Sequence, residues 1–146
     1  MPQKPGACGL AMRAAVREAG VKLRTAGNHE EIWKVVKETA PHLQAACVSL
    51  RIVTRNGTVK TSEFVTGFDE APPDILRARF SLLGERPDEG RIELGFADGR
   101  RTVDRDTEIA IELLCEHVHG AVERIAHFEE VETTGSRRLL RLMKLG

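Results

Sequence analysis

Between Leu76 and Phe128 the chain changes its hydrophobic period from two to nearly four. Leu76, Ala78, Phe80 and Leu82 alternate with Arg77, Arg79 and Ser81, the period of a strand with one buried face. Ile92, Leu94 and Phe96 repeat the alternation, and the stretch closes on the turn pair Asp98-Gly99. Then Ile111, Leu114, Cys115, Val118, Val122 and Ile125 recur at helical spacing, behind Asp104 as N-cap and Asp106 in the first turn. Upstream, Met12, Val16, Ala19 and Leu23 form one helical stripe. Asn28 is placed to cap a second helix that turns Ile32, Val35, Val36 and Leu43 inward, with Glu30 and Glu31 in its first turn and Pro41 ending it near Thr39. From Ala46 the period is two again: Val48, Leu50 and Ile52 face opposite to Ser49 and Arg51. Asn56-Gly57 signals a hairpin, its weakly apolar return strand reads as a sheet edge, and Gly67–Asp74, with Pro72-Pro73, reads as a short loop.

The pattern therefore predicts helices over 10–25, 28–40 and 105–130, and strands over 46–54, 58–66, 75–83 and 91–97. Helices, then strands, then a helix argue for an α+β fold: a central antiparallel sheet of four or more strands, with N- and C-terminal helices packed on one face. Three segments follow: an N-terminal helix over 1–27, a candidate dimerisation element; a sheet-bearing domain over 28–132; and a basic, leucine-rich tail over 133–146. The tail, SRRLLRLMKLG, reads either as an amphipathic helix for a partner or membrane surface, or as a frayed end.

Composition narrows the classes. At 146 residues and 41% hydrophobic, the chain supports one ordinary core, and 22 basic residues balance 22 acidic ones, so net charge points to no polyanion. With no Tyr and one Trp there is no stacking platform for single-stranded nucleic acid. Apolar runs fall short of the roughly 20 residues of a membrane helix, and the N-terminus lacks a secretory apolar core. Cys8, Cys47 and Cys115 are odd in number and contain no CxxC pair, which suits reduced thiols in a cytoplasmic setting.

The candidate chemistry is sparse. His117 and His119 fall on opposite edges of the helical stripe and cannot share an ion, while Cys115 lies in the core stripe, so no metal is expected. No Gly-rich phosphate loop or catalytic constellation appears in the sequence, and no cofactor is expected. On the polar faces of the strands stand Arg51, Arg77, Arg79 and Arg91 with Glu93. Either these pair across strands on a solvated face, which is the simpler reading, or they converge into a cationic patch for a phosphate or carboxylate. On the last helix a second apolar side gathers Ile109, Leu113 and Val131, with Gly120, Ala110 and Phe128 nearby. With Ala15 and Ala19 of the first helix, that side is the expected interface of a homodimer.

The order and wording of these segments resemble the GAF family of small regulatory domains, most clearly in LRARFSLL, GRIELGF and TEIAIELLCEHVHGAVERI, with Asn28–Val53 similar to that family's helix and first strand. The resemblance implies a helical layer used for dimerisation and a ligand pocket on the opposite face of the sheet. The connection Gly67–Asp74 is too short for the helices that cap the pocket in cyclic-nucleotide or bilin binders, and no cysteine stands where a chromophore would attach. The phrase ELGFADGRRTVDRDTEIAIELLCEHV is also similar to cytoplasmic C-terminal extensions of bacterial glycosyltransferases that attach sugar phosphates to polyprenyl phosphate. That likeness implies a regulatory or assembly module held at the inner face of the membrane by a parent enzyme. The alternative is a small independent enzyme or anion-binding domain that uses the arginine face.

Overall fold

A computed structural model describes residues 5–56, 58–82 and 90–145, without the side chains of 5–8, 55–59 and 130–145. Helices α1 (Pro5–Leu23) and α2 (His29–Thr39) precede a 3-10 turn, Ala40–Leu43. Strands β1 (Cys47–Asn56), β2 (Thr58–Thr66), β3 (Leu76–Ser81) and β4 (Gly90–Phe96) follow, and α3 (Arg105–Leu145) closes the chain. The expected α+β class and antiparallel sheet are both present. The expected hairpin joins β1 to β2, with Gly57 itself outside the described residues.

Local chemistry accounts for the boundaries. Asn28 is extended (φ −154°) and its Oδ1 accepts from the Glu31 N–H at 2.9 Å, while the Glu31 carboxylate accepts from the Gly27 N–H, so each end of the first turn supplies the other's acceptor. Pro41 tightens the chain into the 3-10 turn, which Gln44 ends in the left-handed region at φ 65°. Asp104 caps α3 by accepting from the Thr107 N–H at 3.2 Å and hydroxyl at 2.6 Å. The last helix runs past the expected end at 130, and past the 132/133 boundary drawn from the sequence, to Leu145. Its final turns are rich in Arg, Leu, Met and Lys, which favour helix whether or not they pack.

Sheet order is β2-β1-β4-β3, with β2 and β3 as edges. Leu50 stands opposite Phe64 and Ile92, Leu94 opposite Val48 and Ala78, and Ile92 opposite Phe80. These residues share the inner face, where Ile111, Leu114 and Val118 of α3, Ile32 and Val36 of α2, and Met12, Val16 and Leu23 of α1 complete one core. At the edge of that core Trp33 stacks on Phe64, ring centroids 5.5 Å apart.

Helix α1 lies parallel to α3. A Cβ on Gly9 would come within 3.2 Å of Asp106, and one on Gly20 within 2.8 Å of the His117 ring, at the same sequence offset along both helices. At the far end Arg124 donates to the carbonyls of Leu23, at 3.0 Å, and Ala26, capping the C-terminus of α1. Helix α1 thus contributes Met12, Val16, Ala19 and Leu23 to the core.

Two connections complete the fold. The β2–β3 link passes from one edge strand to the other over the outer face at the Cys47 end of the sheet. A Cβ on Gly95 there would meet Ile75 at 2.8 Å, and the Cys47 thiol donates to the Gly67 carbonyl at 3.3 Å. In the β4–α3 link, Arg100 Nη2 donates to Asp98 at 2.6 Å and to the Gln44 side chain at 2.8 Å, with its guanidinium 4.4 Å over the Phe96 ring.

Gly67 and Gly99 both have positive φ, 84° and 86°, but only at Gly67 would a Cβ strike backbone, the Ala46 carbonyl oxygen at 2.8 Å. Gly99→Ala should cost about 1 kcal/mol and Gly67→Ala about 2–3 kcal/mol, read as a larger fall in the urea midpoint at unchanged slope. Arg100 holds the Asp98 carboxyl below its ordinary range, chiefly through their side-chain hydrogen bonds, and the Thr107 hydroxyl does the same for Asp104. Carboxyls depressed in the folded state contribute stability above the ordinary carboxylate pKa of about 4, and that contribution is lost as pH falls through the folded value. Asp98→Asn should therefore lower stability at pH 7 and flatten its decline below about pH 4 in acid titrations followed by circular dichroism.

Candidate functional site

Among the described residues no helix covers the outer face of the sheet, and the register arranges its side chains in rows. One row runs Glu63, Arg51, Arg91, Ser81 across the four strands, and the next runs Val65, Ser49, Glu93, Arg79. Arg77 stands one row further, opposite Gly95, with its guanidinium 5.0 Å over the Phe68 ring of the β2–β3 link. All four arginines expected from the sequence are thereby gathered on one surface.

At its centre Glu93 is only 7% exposed, unusual for a carboxylate on a helix-free face. Arg79 Nε lies 3.4 Å from one carboxylate oxygen and Arg77 Nη1 4.0 Å from the other. Arg51 Nε lies 3.6 Å from Glu63. The cross-strand Arg–Glu pairing expected from alternation is present, yet incomplete. Arg51 and Arg91 are direct partners on adjacent strands, an opposition of like charges. Among the described residues Arg91 has no carboxylate partner. The Nε atoms of Arg51 and Arg91 are buried without an acceptor, and Glu93 Oε1 lacks a donor at hydrogen-bond distance. Alternation marked the arginines and Glu93, but it gave no sign of Glu63 as a sixth participant, because the β1–β2 register is a tertiary fact.

The expected dimer residues separate. Leu113 is 39% exposed, Ile109 is half-buried, and Gly120 is exposed with open space around a Cβ position. On α1, Leu10 (68%) and Val21 (58%) are exposed as well. Ala110, by contrast, is wholly inside the core, and so is Ala19. Ala15 is half-buried and lines a groove of about 650 Å³ between α1, α2 and the 3-10 turn, beside Lys22, Glu38 and His42. The small-residue stripe of α1 thus faces α2 within the chain, not the outer strip of α3; the wheel phase of α1 relative to its neighbour decides this, and spacing alone does not. Val131 lies outside the residues whose side chains are described.

The thiols and histidines point to different neighbours. The His117 ring packs on Gly20, His119 Nε2 lies 3.2 Å from Glu123, and Cys115 is buried near Phe80 of β3 and the following Leu82. Among the described residues no group of three or more His, Cys, Asp or Glu is placed to hold a metal ion. Burial pushes the Cys115 thiol up to about 12, with Glu112 and Glu116 adding to the shift. Burial also raises Cys47, against the pull of Arg77. Burial thus disfavours the nucleophilic thiolate at both positions.

Cys47 and Cys115 should accordingly resist alkylation by iodoacetamide at pH 8 in a Cys8→Ser background, and react fully in about 6 M guanidinium, by mass spectrometry. Fast modification of either in the native protein would mean its cover opens. Comparison with models of known protein families and with curated protein sequences finds no match to this chain.

Proposed function

We propose that the chain is a non-catalytic, GAF-like assembly and regulatory module that dimerises through the outer strip of α1 and α3, and that it serves a larger bacterial sugar-phosphate transferase acting on polyprenyl phosphate. The observation that carries the reading is the helical layer. On α3, Leu113 and Gly120 are exposed and Ile109 is half-buried, and the parallel α1 exposes Leu10 and Val21. Water keeps that apolar area exposed at about 25 cal/mol for each Å² that a partner would bury.

Area and length favour a second copy as the occupant. Two helices about 10 Å apart over the 19 residues of α1 present on the order of 500 Å², short of the roughly 800 Å² per partner in a stable interface. Helix α3 spans 41 residues, about 60 Å, and continues beyond Arg124, where its contact with α1 ends. Phe128, 62% exposed, begins that continuation. A two-fold pairing that includes it reaches the required area. Support for the family likeness comes from the four-stranded antiparallel sheet with helices on one face only; support for the parent transferase comes from the likeness of ELGFADGRRTVDRDTEIAIELLCEHV. No helix among the described residues is long and apolar enough to cross a membrane, so in this reading membrane attachment belongs to the parent.

Light scattering coupled to gel filtration should give twice the chain mass for the wild type at tens of micromolar. Leu113→Glu sets a charge in the strip while sparing Leu114 and Val118, and should give a folded monomer, with an unchanged far-ultraviolet spectrum and a dissociation constant raised at least about a hundredfold. A monomeric wild type would overturn the reading. An unfolded Leu113→Glu would assign Leu113 to the chain's own core.

A further inference from the structure

On the outer sheet face the described residues number four guanidiniums, from Arg51, Arg77, Arg79 and Arg91, against two carboxylates, from Glu63 and Glu93. Glu93 is committed to Arg77 and Arg79, and Glu63 to Arg51. Of the excess of two positive charges, one is shared by Arg77 and Arg79 and the other stands on Arg91, directly across from Arg51. Direct opposition of like charges on neighbouring strands destabilises a sheet, and a buried Nε–H without an acceptor adds the desolvation of a charged donor. The pair meets both costs at once. An oxyanion seated on it would relieve both, because the guanidinium presents two parallel N–H groups to two oxygens of one anion. Arg51 is about one-third exposed, so its head can turn toward solvent by rotation of its last torsions.

We propose that this face binds a phosphoryl dianion, held between Arg51 and Arg91, with Arg79 at its rim. The charge excess matches a phosphate monoester, which carries about −1.5 to −2 at pH 7. Glu93 acts as a positioning residue: it holds Arg77 and Arg79 upright from beneath and touches no ligand. The surface is shallow and bounded by the β2–β3 link over Cys47 and Gly95, with Phe68 under Arg77. That geometry suits a terminal phosphate and leaves the remainder of the ligand outside. The site is independent of the helical strip, which lies on the other side of the sheet.

The full chain is titrated with inorganic phosphate, with glucose 1-phosphate and with sodium chloride at equal ionic strength, in a phosphate-free buffer, by calorimetry and thermal melting. The expected result is a saturable heat of binding with either phosphate, half-complete below about 5 mM, a melting temperature that keeps rising with phosphate concentration, and neither with chloride. Arg51→Gln/Arg91→Gln should weaken binding at least tenfold and, by removing the like-charge opposition, leave the phosphate-free melting temperature unchanged or higher. Phosphatidic-acid vesicles, compared with phosphatidylcholine vesicles, separate the sources: co-sedimentation that soluble phosphate fails to displace assigns the phosphoryl group to a lipid headgroup. The proposal is overturned if no phosphate compound or vesicle binds, if chloride acts equally, if the double variant binds as well as wild type, or if it melts lower without phosphate, which would make the pair a structural element. Leu113→Glu should bind phosphate as wild type does, so failure of the assembly reading and failure of this site are told apart.

Discussion

The register of β1 against β4 is the constraint on which the two faces of this protein rest. With Leu50 opposite Ile92 and Arg51 opposite Arg91, Val48, Leu50, Ile52, Ile92 and Leu94 of the central strands point to the helices while Arg51 and Arg91 point away. A slip of one residue would exchange the two sets, burying guanidiniums under α3 and exposing Leu50, Ile52, Ile92 and Leu94. The fold tolerates no intermediate, so the like-charge contact between Arg51 and Arg91 is the cost of a register that the inner face demands. Burial of four large aliphatic side chains, at about 1.5–3 kcal/mol each, outweighs one screened cation pair on a wet surface.

The helical layer follows from the same inner face. Helix α3 covers it with Ile111, Leu114, Val118 and Val122, and the glycines of α1 let that helix lie close and parallel at Gly9 and Gly20. Parallel packing of the first and last helices leaves Leu10 and Val21 of α1 and Leu113 of α3 exposed. Arg124 ties the end of α1 by its carbonyls and so sets where contact between the two helices stops. The cationic sheet face and the apolar helical strip therefore lie on opposite sides of the molecule, able to act without competing for the same surface.

The buried thiols belong to the packing. Cys47 sits where the β2–β3 link closes over the sheet, and Cys115 lies between α3 and the β3 edge, and burial raises both thiols, Cys115 to about 12. The link itself replaces a capping layer. Instead of roofing the outer face it crosses one end of it, which leaves the arginine rows on an open surface.

Element types, their order and the inward residues were legible in the chain, because period-two and period-3.6 patterns are local consequences of which side of a strand or helix meets the core. Val48, Leu50, Ile52, Ile92, Leu94 and Phe96 are all buried, as alternation required, and Asn28, Pro41 and Asp104 mark helix ends by chemistry that acts within a turn. What only the tertiary structure decided depends on pairing between distant segments. Alternation put Arg51 and Arg91 on polar faces, but only the β1–β4 register made them neighbours; it put Ala19 on a small-residue stripe, but only the packing of α1 between α2 and α3 buried it. The physical reason is the same in each case: the sequence specifies directions from a backbone, while contacts between directions require the relative placement of elements that long-range packing alone supplies.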